Sequence, residues 1–177
     1  MMSKKFAALV VPAMLVAFQA PAVRAADQGL IIQKALSLDM AIAAAEGALA
    51  QCRTMKYKCA VVVLNGSGRT LVSLEDDGAF MHRMDIAHKK AYTALVYRKP
   101  SKESVEGWST KMAAGKPLAE GTLPSPPVEG TIAMGGGLPI IVGGETIGAI
   151  AVSGGPGWEA DEAMGKAGLA KIADKLK

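Results

Sequence analysis

The sequence predicts an α+β fold in which helices cover a single antiparallel sheet. Two pairs of apolar segments are each joined by a short glycine-containing turn, and helical periods lie before, between and after these pairs. Short turns join antiparallel strands, whereas parallel strands need a longer crossover. The predicted order is therefore helix, hairpin, two helices, long loop, hairpin, helix, within one domain over residues 26–177.

The first helix and the first hairpin occupy residues 38–75. Ser37 is a candidate N-cap, and the apolar residues after it recur at spacings of three and four, which predicts a helix over 38–54. That apolar stripe consists of Leu38, Ile42, Ala45, Leu49 and Cys52. A continuous β-branched run over 59–64 predicts a buried strand, and alternation over 69–75 predicts its partner. The turn Asn65-Gly66-Ser67-Gly68 joins them.

Two further helices and a long loop follow the first hairpin. A helical period extends from His82 to Arg98, and Ser101 is the candidate cap of another helix ending near residue 113. Residues 115–130 are rich in glycine and proline, which predicts a long loop.

The last third of the chain predicts a second hairpin and a final helix. Strands are expected over 138–142 and 146–153, on either side of Gly143-Gly144. The final helix, over 159–176, has acidic residues at its start and lysines at its end, which complements the helix dipole. Gly165 and Gly168 inside it cost helix propensity, so we expect them to allow close packing on the sheet.

The N-terminal 25 residues have the features of a secretory signal peptide. Two lysines precede an apolar stretch from Phe6 to Phe18, and Val23 and Ala25 suit signal peptidase, with cleavage expected after Ala25. The apolar stretch is shorter than the roughly 20 residues that span a bilayer. We therefore expect a periplasmic or secreted protein that is not inserted in the membrane after signal cleavage. An uncleaved N-terminal anchor is the alternative.

Charge and composition argue against a nucleic-acid partner. The whole chain has 20 basic and 16 acidic residues, a net charge of +4. Three of the basic residues and none of the acidic ones lie in residues 1–25, so the mature chain has a net charge of only +1. Aromatic residues make up 5% of the chain, too few for a base-stacking platform. The mature domain is therefore not expected to bind polyanions.

The two cysteines favour a disulfide. Cys52 and Cys59 would lie in an oxidising compartment if the chain is exported, and an even pair there usually joins. Two buried free thiols are the alternative. The chain has no Cys-x-x-Cys-His sequence, which excludes covalent attachment of c-type haem.

The only two histidines lie close together, within the second helical segment. On a helix, Met84, His88 and Tyr92 share one face, and thioether, imidazole and phenolate all ligate haem iron. His82 lies one turn and a half before His88. Cations that can pair with haem propionates surround the histidines, namely Arg83, Lys89, Lys90 and Arg98. The alternative is that His88 is a hydrogen-bonded histidine between sheet and helix, and that the cations form a solvated face.

Other candidate sites have weaker signals. The glycine runs at 135–137 and 154–155 lack the context of a dinucleotide fingerprint and are explained as tight turns. The alternative for the second run, which precedes a helix, is a bound anion. Two Glu-x-x-Glu pairs can hold a hard cation weakly, but acidic residues are also ordinary at helix starts. These pairs are Glu103/Glu106 and Glu159/Glu162. Ser73 and Ser153 lack the context of a nucleophile elbow. No metal ligand set is assigned.

The chain resembles the GlcG/HbpS family of small haem-binding-like proteins, in the haem-degrading-domain superfamily. The resemblance covers about Ser37 to Ile172 and rests on the order and spacing of four segments. They are Leu38 to Ala50; Glu75-Asp76-Asp77-Gly78-Ala79 with Asp85-Ile86-Ala87 and Lys90-Ala91-Tyr92-Thr93-Ala94; Gly136-Gly137-Leu138-Pro139-Ile140 through Ile147-Gly148-Ala149-Ile150; and Val152-Ser153-Gly154-Gly155 with Asp161-Glu162 and Ala167-Gly168-Leu169-Ala170. It implies a profilin-like sheet of about five strands and a homo-oligomer. Haem-linked residues differ among members, so no ligand is carried over.

Three functions follow as hypotheses. The first is an exported, non-enzymatic protein that binds haem non-covalently and buffers, carries or senses it, with His88 as the axial ligand and His82 and Tyr92 as the next candidates. A sensor or a haem-handling protein is the expected partner. The second is a module for a small organic acid of the glycolate type, held by Gly154-Gly155 and the 115–130 loop. The third, an enzyme acting on haem, is the least supported because no acid–base pair is evident.

Overall fold

The computed structural model describes Gly29, residues 31–103 and residues 128–177. The chain divides into two compact units, Met1–Ile32 and Gln33–Lys177, and the second contains all the helices and strands considered below. The predicted signal peptide, most of the helix expected over 101–113 and most of the 115–130 loop lie outside the described residues. No helix in the described ranges is both long and apolar enough to cross a bilayer.

The described elements follow the predicted order. They are α1 (Leu38–Thr54), β1 (Ala60–Asn65), β2 (Thr70–Glu75), α2 (Arg83–Tyr97), β3 (Gly137–Val142), β4 (Glu145–Ser153), α3 (Trp158–Ala170) and a 3-10 turn (Ala173–Lys175). Ser37 caps α1 as predicted, because its hydroxyl accepts a hydrogen bond from the Met40 N–H at 3.3 Å. Arg98 ends α2 in the left-handed conformation, with φ at 54°.

The four strands form one antiparallel sheet in the order β2-β1-β4-β3. The two hairpins therefore meet through β1 and β4, whose register pairs Ala60 with Ser153 and Asn65 with Gly148. The α+β class and the single antiparallel sheet are confirmed. The sheet has four strands within the described residues, whereas the family resemblance implied about five.

Helices cover both faces of the sheet, and β1 shows the division between them. Val61 and Val63 belong to the core beneath α1 and α3, whereas Val62 and Leu64 belong to the core beneath α2. Alternate side chains of a strand point to opposite faces, so a central strand covered on both sides is apolar throughout. This is why residues 60–64 read as one continuous hydrophobic run.

The buried face of α1 differs from the predicted stripe. Leu38 and Ile42 are 54% and 38% exposed, while Ala41, Ala44 and Ala48 are fully buried. Small side chains allow α1 to approach α3 closely: a Cβ on Gly168 of α3 would lie 2.4 Å from the Ala44 carbonyl oxygen. The predicted stripe was wrong at its N-terminal end because large residues were assumed to face the core, whereas close helix packing selects small ones.

The C-terminal helix is shorter than predicted. It ends at Ala170, and the N–H groups of Lys171 and Ile172 bond to carbonyls three residues back, which tightens the chain into a turn. The turn buries Ile172 completely. The expected packing of its glycines on the sheet holds for Gly165, which faces Leu138 of β3, whereas Gly168 faces mainly α1.

One disulfide and one ion pair join α1 to the first strands. Cys52 and Cys59 form a disulfide, with their Cα atoms 6.4 Å apart, as favoured by the sequence. Arg53 donates two hydrogen bonds, at 3.0 and 2.9 Å, to one carboxylate oxygen of Asp76, which is 6% exposed. The hydrogen bonds from Arg53 lower the pKa of Asp76 below its ordinary value.

Candidate functional site

A buried ion pair joins the two helical layers at the end of β4. Lys90 of α2 donates to an Asp161 carboxylate oxygen at 2.6 Å and to the Val152 carbonyl at 3.3 Å. The other Asp161 oxygen accepts the N–H groups of Gly154 and Gly155, at 3.1 and 2.8 Å. Lys90 and Asp161 are only 2% and 3% exposed. Their mutual pairing and their hydrogen bonds to the main chain offset the cost of burying these charges.

Glycines make room for this pair. A Cβ on Gly136, which has a φ of 115°, would lie 3.0 Å from the Lys90 ammonium. A Cβ on Gly137 would lie 2.1 Å from the Lys90 carbonyl oxygen, so α2 and the start of β3 are in main-chain contact. On the other side, Gly154 lies against the Cys59 sulfur, where a Cβ would approach to 2.6 Å. The disulfide therefore supports the turn that binds Asp161.

A cleft of about 780 Å³ opens beside the ion pair. Its volume falls within the range of about 300–1,000 Å³ that is usual for small-molecule sites. Among the described residues its lining comprises Arg83, Lys90, Ala133, Met134, Gly135, Ser153, Gly155, Pro156, Gly157, Trp158, Glu159 and Asp161. One wall is fixed to α2, because the Thr93 hydroxyl accepts the Ile132 N–H at 2.9 Å just before Ala133.

Two polar groups of this cleft have no partner within the described residues. The hydroxyl of Ser153, a fully buried residue, is one, and the Nε of Arg83 is the other. Buried polar groups are nearly always hydrogen-bonded, so each such exception calls for an explanation. Glu159 at the rim accepts a hydrogen bond from the Trp158 indole.

A second surface lies along the exposed side of α2. The rings of His88 and Tyr92 are stacked, with centroids 6.5 Å apart and planes 11° from parallel, and both residues are half-buried. Tyr92 also lines a smaller cleft of about 290 Å³, together with Arg98 and the Gly66–Gly68 turn. We call Met84, His88, Tyr92 and Arg98 the histidine face.

The histidine face is partly a packing surface. Met84 and Tyr92 pack against the core beneath α2. The Tyr92 ring is held between two glycines, since a Cβ on Gly68 or Gly130 would lie 3.2 or 3.4 Å from it. In the predicted Met-His-Tyr set, Met84 and Tyr92 are therefore packing residues, and the half-buried His88 ring stacks on Tyr92.

The other predicted site residues are distributed around the start of α2. His82 is exposed, occupies the position before the helix and stacks on Phe80 at 6.0 Å. Arg83 also lies over the Phe80 ring at 6.0 Å and lines the cleft, and Lys89 is exposed. Lys90, grouped by sequence with the cations around the histidines, is instead held by Asp161.

Of the two predicted carboxylate pairs, Glu159/Glu162 is fully described, and both of its members contact other side chains. Glu162 is buried and has Lys102 and Lys166 within 3.5 and 3.7 Å, while Glu159 binds Trp158. Glu106 lies outside the described residues. Within the part of the chain that the structure describes, no group of three or more His, Cys, Asp or Glu residues is arranged to hold a metal ion.

Sequence reasoning missed the ion pair and the cleft. Lys90 and Asp161 are 71 residues apart, and neither stands out in its own helix. The one local signal is the Gly154-Gly155-Pro156-Gly157 turn before α3, for which an anion site is the alternative to an ordinary tight turn.

Comparisons with known proteins agree with this fold. The family described as "Haem degrading protein HbpS-like" matches residues 36–170. An uncharacterized 15.0 kDa protein of Citrobacter freundii, from the dhaT-dhaS intergenic region, is 30% identical over 125 residues, which cover 70% of this chain and 84% of that protein.

Solved structures give the same result. The crystal structure of HbpS superposes with a TM-score of 0.69 at 27% identity, covering 80% of this chain and 93% of that one. A crystal structure of a PduOC complex with haem superposes with a TM-score of 0.67 at 23% identity, covering 78% and 96% of the two chains. The latter likeness is one of fold.

Proposed function

We propose, since this chain belongs to the HbpS-like family, that it binds haem without a covalent link and buffers, carries or senses it. The observation that carries the proposal is the stacked His88–Tyr92 pair on the exposed side of α2, within a chain of this family. The same fold is found in the PduOC complex with haem.

His88 supplies the axial ligand in this proposal. Imidazole is a common ligand of haem iron, and the His88 ring is half-buried on a helix whose inner side is fixed by its alanine contacts with the sheet. The stack on Tyr92 holds the imidazole orientation. Arg98 lines a cleft with Tyr92 at the far end of the same face, and in this proposal its guanidinium pairs with a propionate.

A haemin titration followed by absorption spectroscopy tests this function. The purified protein is expected to shift the Soret band, and His88→Ala is expected to change the shift and weaken binding. His82→Ala is the matched comparison, because His82 is the other histidine and lies outside the histidine face. Absence of a shift in the wild-type protein would refute haem binding. An unchanged shift and an unchanged affinity in His88→Ala would refute the ligand assignment.

Haem degradation is the alternative that the family description raises. It differs from binding in its products: under a reductant and oxygen, a degrading enzyme bleaches the Soret band and releases iron, whereas a buffer or carrier retains both. We favour binding because, among the described residues, no carboxylate forms an ion pair with the His88 imidazole. Bleaching with stoichiometric iron release, blocked in His88→Ala, would establish the enzyme instead.

We further propose that the mature chain begins after Ala25 and acts in the periplasm or outside the cell. There it forms a homo-oligomer that passes haem to a haem-handling protein or reports the presence of haem to a sensor. The Cys52–Cys59 disulfide supports the location, because disulfides persist in oxidising compartments. Mass spectrometry of the exported protein tests the cleavage position, and light scattering tests the oligomer.

A further inference from the structure

The cleft beside the ion pair has the chemistry of an anion site that is separate from the histidine face. Its lining shares no residue with Met84, His88, Tyr92 or Arg98. Haem binding on the histidine face therefore leaves the unpartnered groups of the cleft without an explanation.

The cleft is lined by two cationic and two anionic side chains, and one of the cations has no ionic partner among the described residues. Asp161 neutralises Lys90, and the carboxylate of Glu159 lies at the rim. Arg83 has no carboxylate partner among the described residues, and its Nε is buried without a hydrogen bond. One uncompensated guanidinium matches a carboxylate, which it can bind through two parallel hydrogen bonds.

Two further kinds of hydrogen-bond donor lie at the same cleft. The start of α3 has no side-chain cap, since Gly157 occupies the N-cap position, so its first N–H groups are free to bind an anion. The fully buried Ser153 hydroxyl provides the independent observation, because it lines the cleft and has no partner within the described ranges. A hydroxyl can donate to a carboxylate or accept from a hydroxyl on the ligand.

The remaining wall is apolar. Met134 and Trp158 are 40% and 36% exposed although both are large hydrophobic residues. Together with Ala133 they give the cleft a surface suited to an alkyl or aromatic group. The ligand therefore needs a charged end and an apolar end.

We propose that this cleft binds a small organic monocarboxylate, with the carboxylate between Arg83 and the start of α3, and the apolar part against Met134 and Trp158. The Ser153 hydroxyl makes the additional hydrogen bond. A phosphate dianion fits less well, because Glu159 and Asp161 bring negative charge to the lining.

Calorimetric titration of the haem-free, full-length protein with acetate and hexanoate tests the proposal. Hexanoate is expected to bind more tightly than acetate, because its longer chain buries more apolar surface. Hexanamide, which has the same chain without the charge, and inorganic phosphate are expected not to bind. Binding of hexanamide as tightly as hexanoate, no binding of hexanoate, or tighter binding of phosphate would each overturn the proposal.

Variants locate the site and separate it from haem binding. Arg83→Gln is expected to weaken hexanoate binding about tenfold or more, and Ser153→Ala by a smaller factor, because a hydrogen bond to a charged group is lost in each. Arg69→Gln removes an exposed arginine of the first hairpin and is the charge-matched control. His88→Ala should keep hexanoate binding, so failure of the haem proposal leaves this one standing. Equal affinity for hexanoate in Arg83→Gln and Arg69→Gln would refute the proposed carboxylate site.

Discussion

The buried Lys90–Asp161 pair makes a strong prediction about stability. Asp161→Asn keeps the shape of the side chain and an oxygen for the Gly154 and Gly155 N–H groups, but it leaves the Lys90 ammonium facing an amide. Removing one member of a buried pair leaves an uncompensated charge and costs about 3–5 kcal/mol of unfolding free energy. Since small domains are stable by about 5–15 kcal/mol, this is a large fraction of the total.

A double-mutant cycle separates the pair from its surroundings. Lys90→Met is expected to cost a similar amount, but in Lys90→Met/Asp161→Asn neither charge remains, so the double variant should lose clearly less than the two single losses combined. Urea unfolding at neutral pH, read from circular dichroism, measures the four free energies. Asp174→Asn, at an exposed aspartate, is the control and should stay within about 0.5 kcal/mol of the wild type.

The reasoning is refuted if Asp161→Asn is as stable as Asp174→Asn, or if the losses in the cycle simply add. Additive losses would mean that Lys90 and Asp161 are held by their separate bonds to the main chain. The attraction between the charges would then contribute nothing measurable.

Three further predictions concern stability elsewhere in the fold. Gly168→Ala should lower the unfolding free energy by about 1–3 kcal/mol, because the new Cβ would lie 2.4 Å from the main chain of α1. The Cβ of Gly165→Ala meets only a movable leucine methyl, so this variant should be neutral or stabilising. Thermal unfolding distinguishes the two variants. Reduction of Cys52–Cys59 should lower the unfolding free energy by about 2 kcal/mol in a urea titration with and without dithiothreitol, and an unchanged midpoint would contradict it. The pKa of Asp76 is lower in the folded state than its ordinary value of 3.8, so the ion pair with Arg53 stabilises the protein fully above pH 3.8. This stabilisation is lost as the pH falls through the folded-state pKa. The difference in Tm between the wild type and Asp76→Asn should therefore narrow below about pH 3.8.

The element order could be predicted because its signals are local. Glycine-rich turns joined the strands of both hairpins, and the β-branched run of β1 marked a strand covered on two sides. The buried face of α1 could not be predicted, because it depends on Gly168 in a distant helix, which selects alanines rather than leucine and isoleucine for the contact. Hydrophobic periodicity reports which residues are apolar, and it does not report how closely two helices approach.

The division of the candidate site residues likewise depends on which residues of α2 share a face. Proximity in sequence grouped Arg83, Lys89 and Lys90 with the histidines, as one haem site. On a helix of 3.6 residues per turn, residues 83 and 90 fall on one side, whereas 84, 88 and 92 form a neighbouring stripe. The structure follows this division: Arg83 and Lys90 line the cleft at the end of β4, and His88 stacks on Tyr92 outside it. Helix α2 therefore serves two separate surfaces, and a variant on one of them is a control for the other.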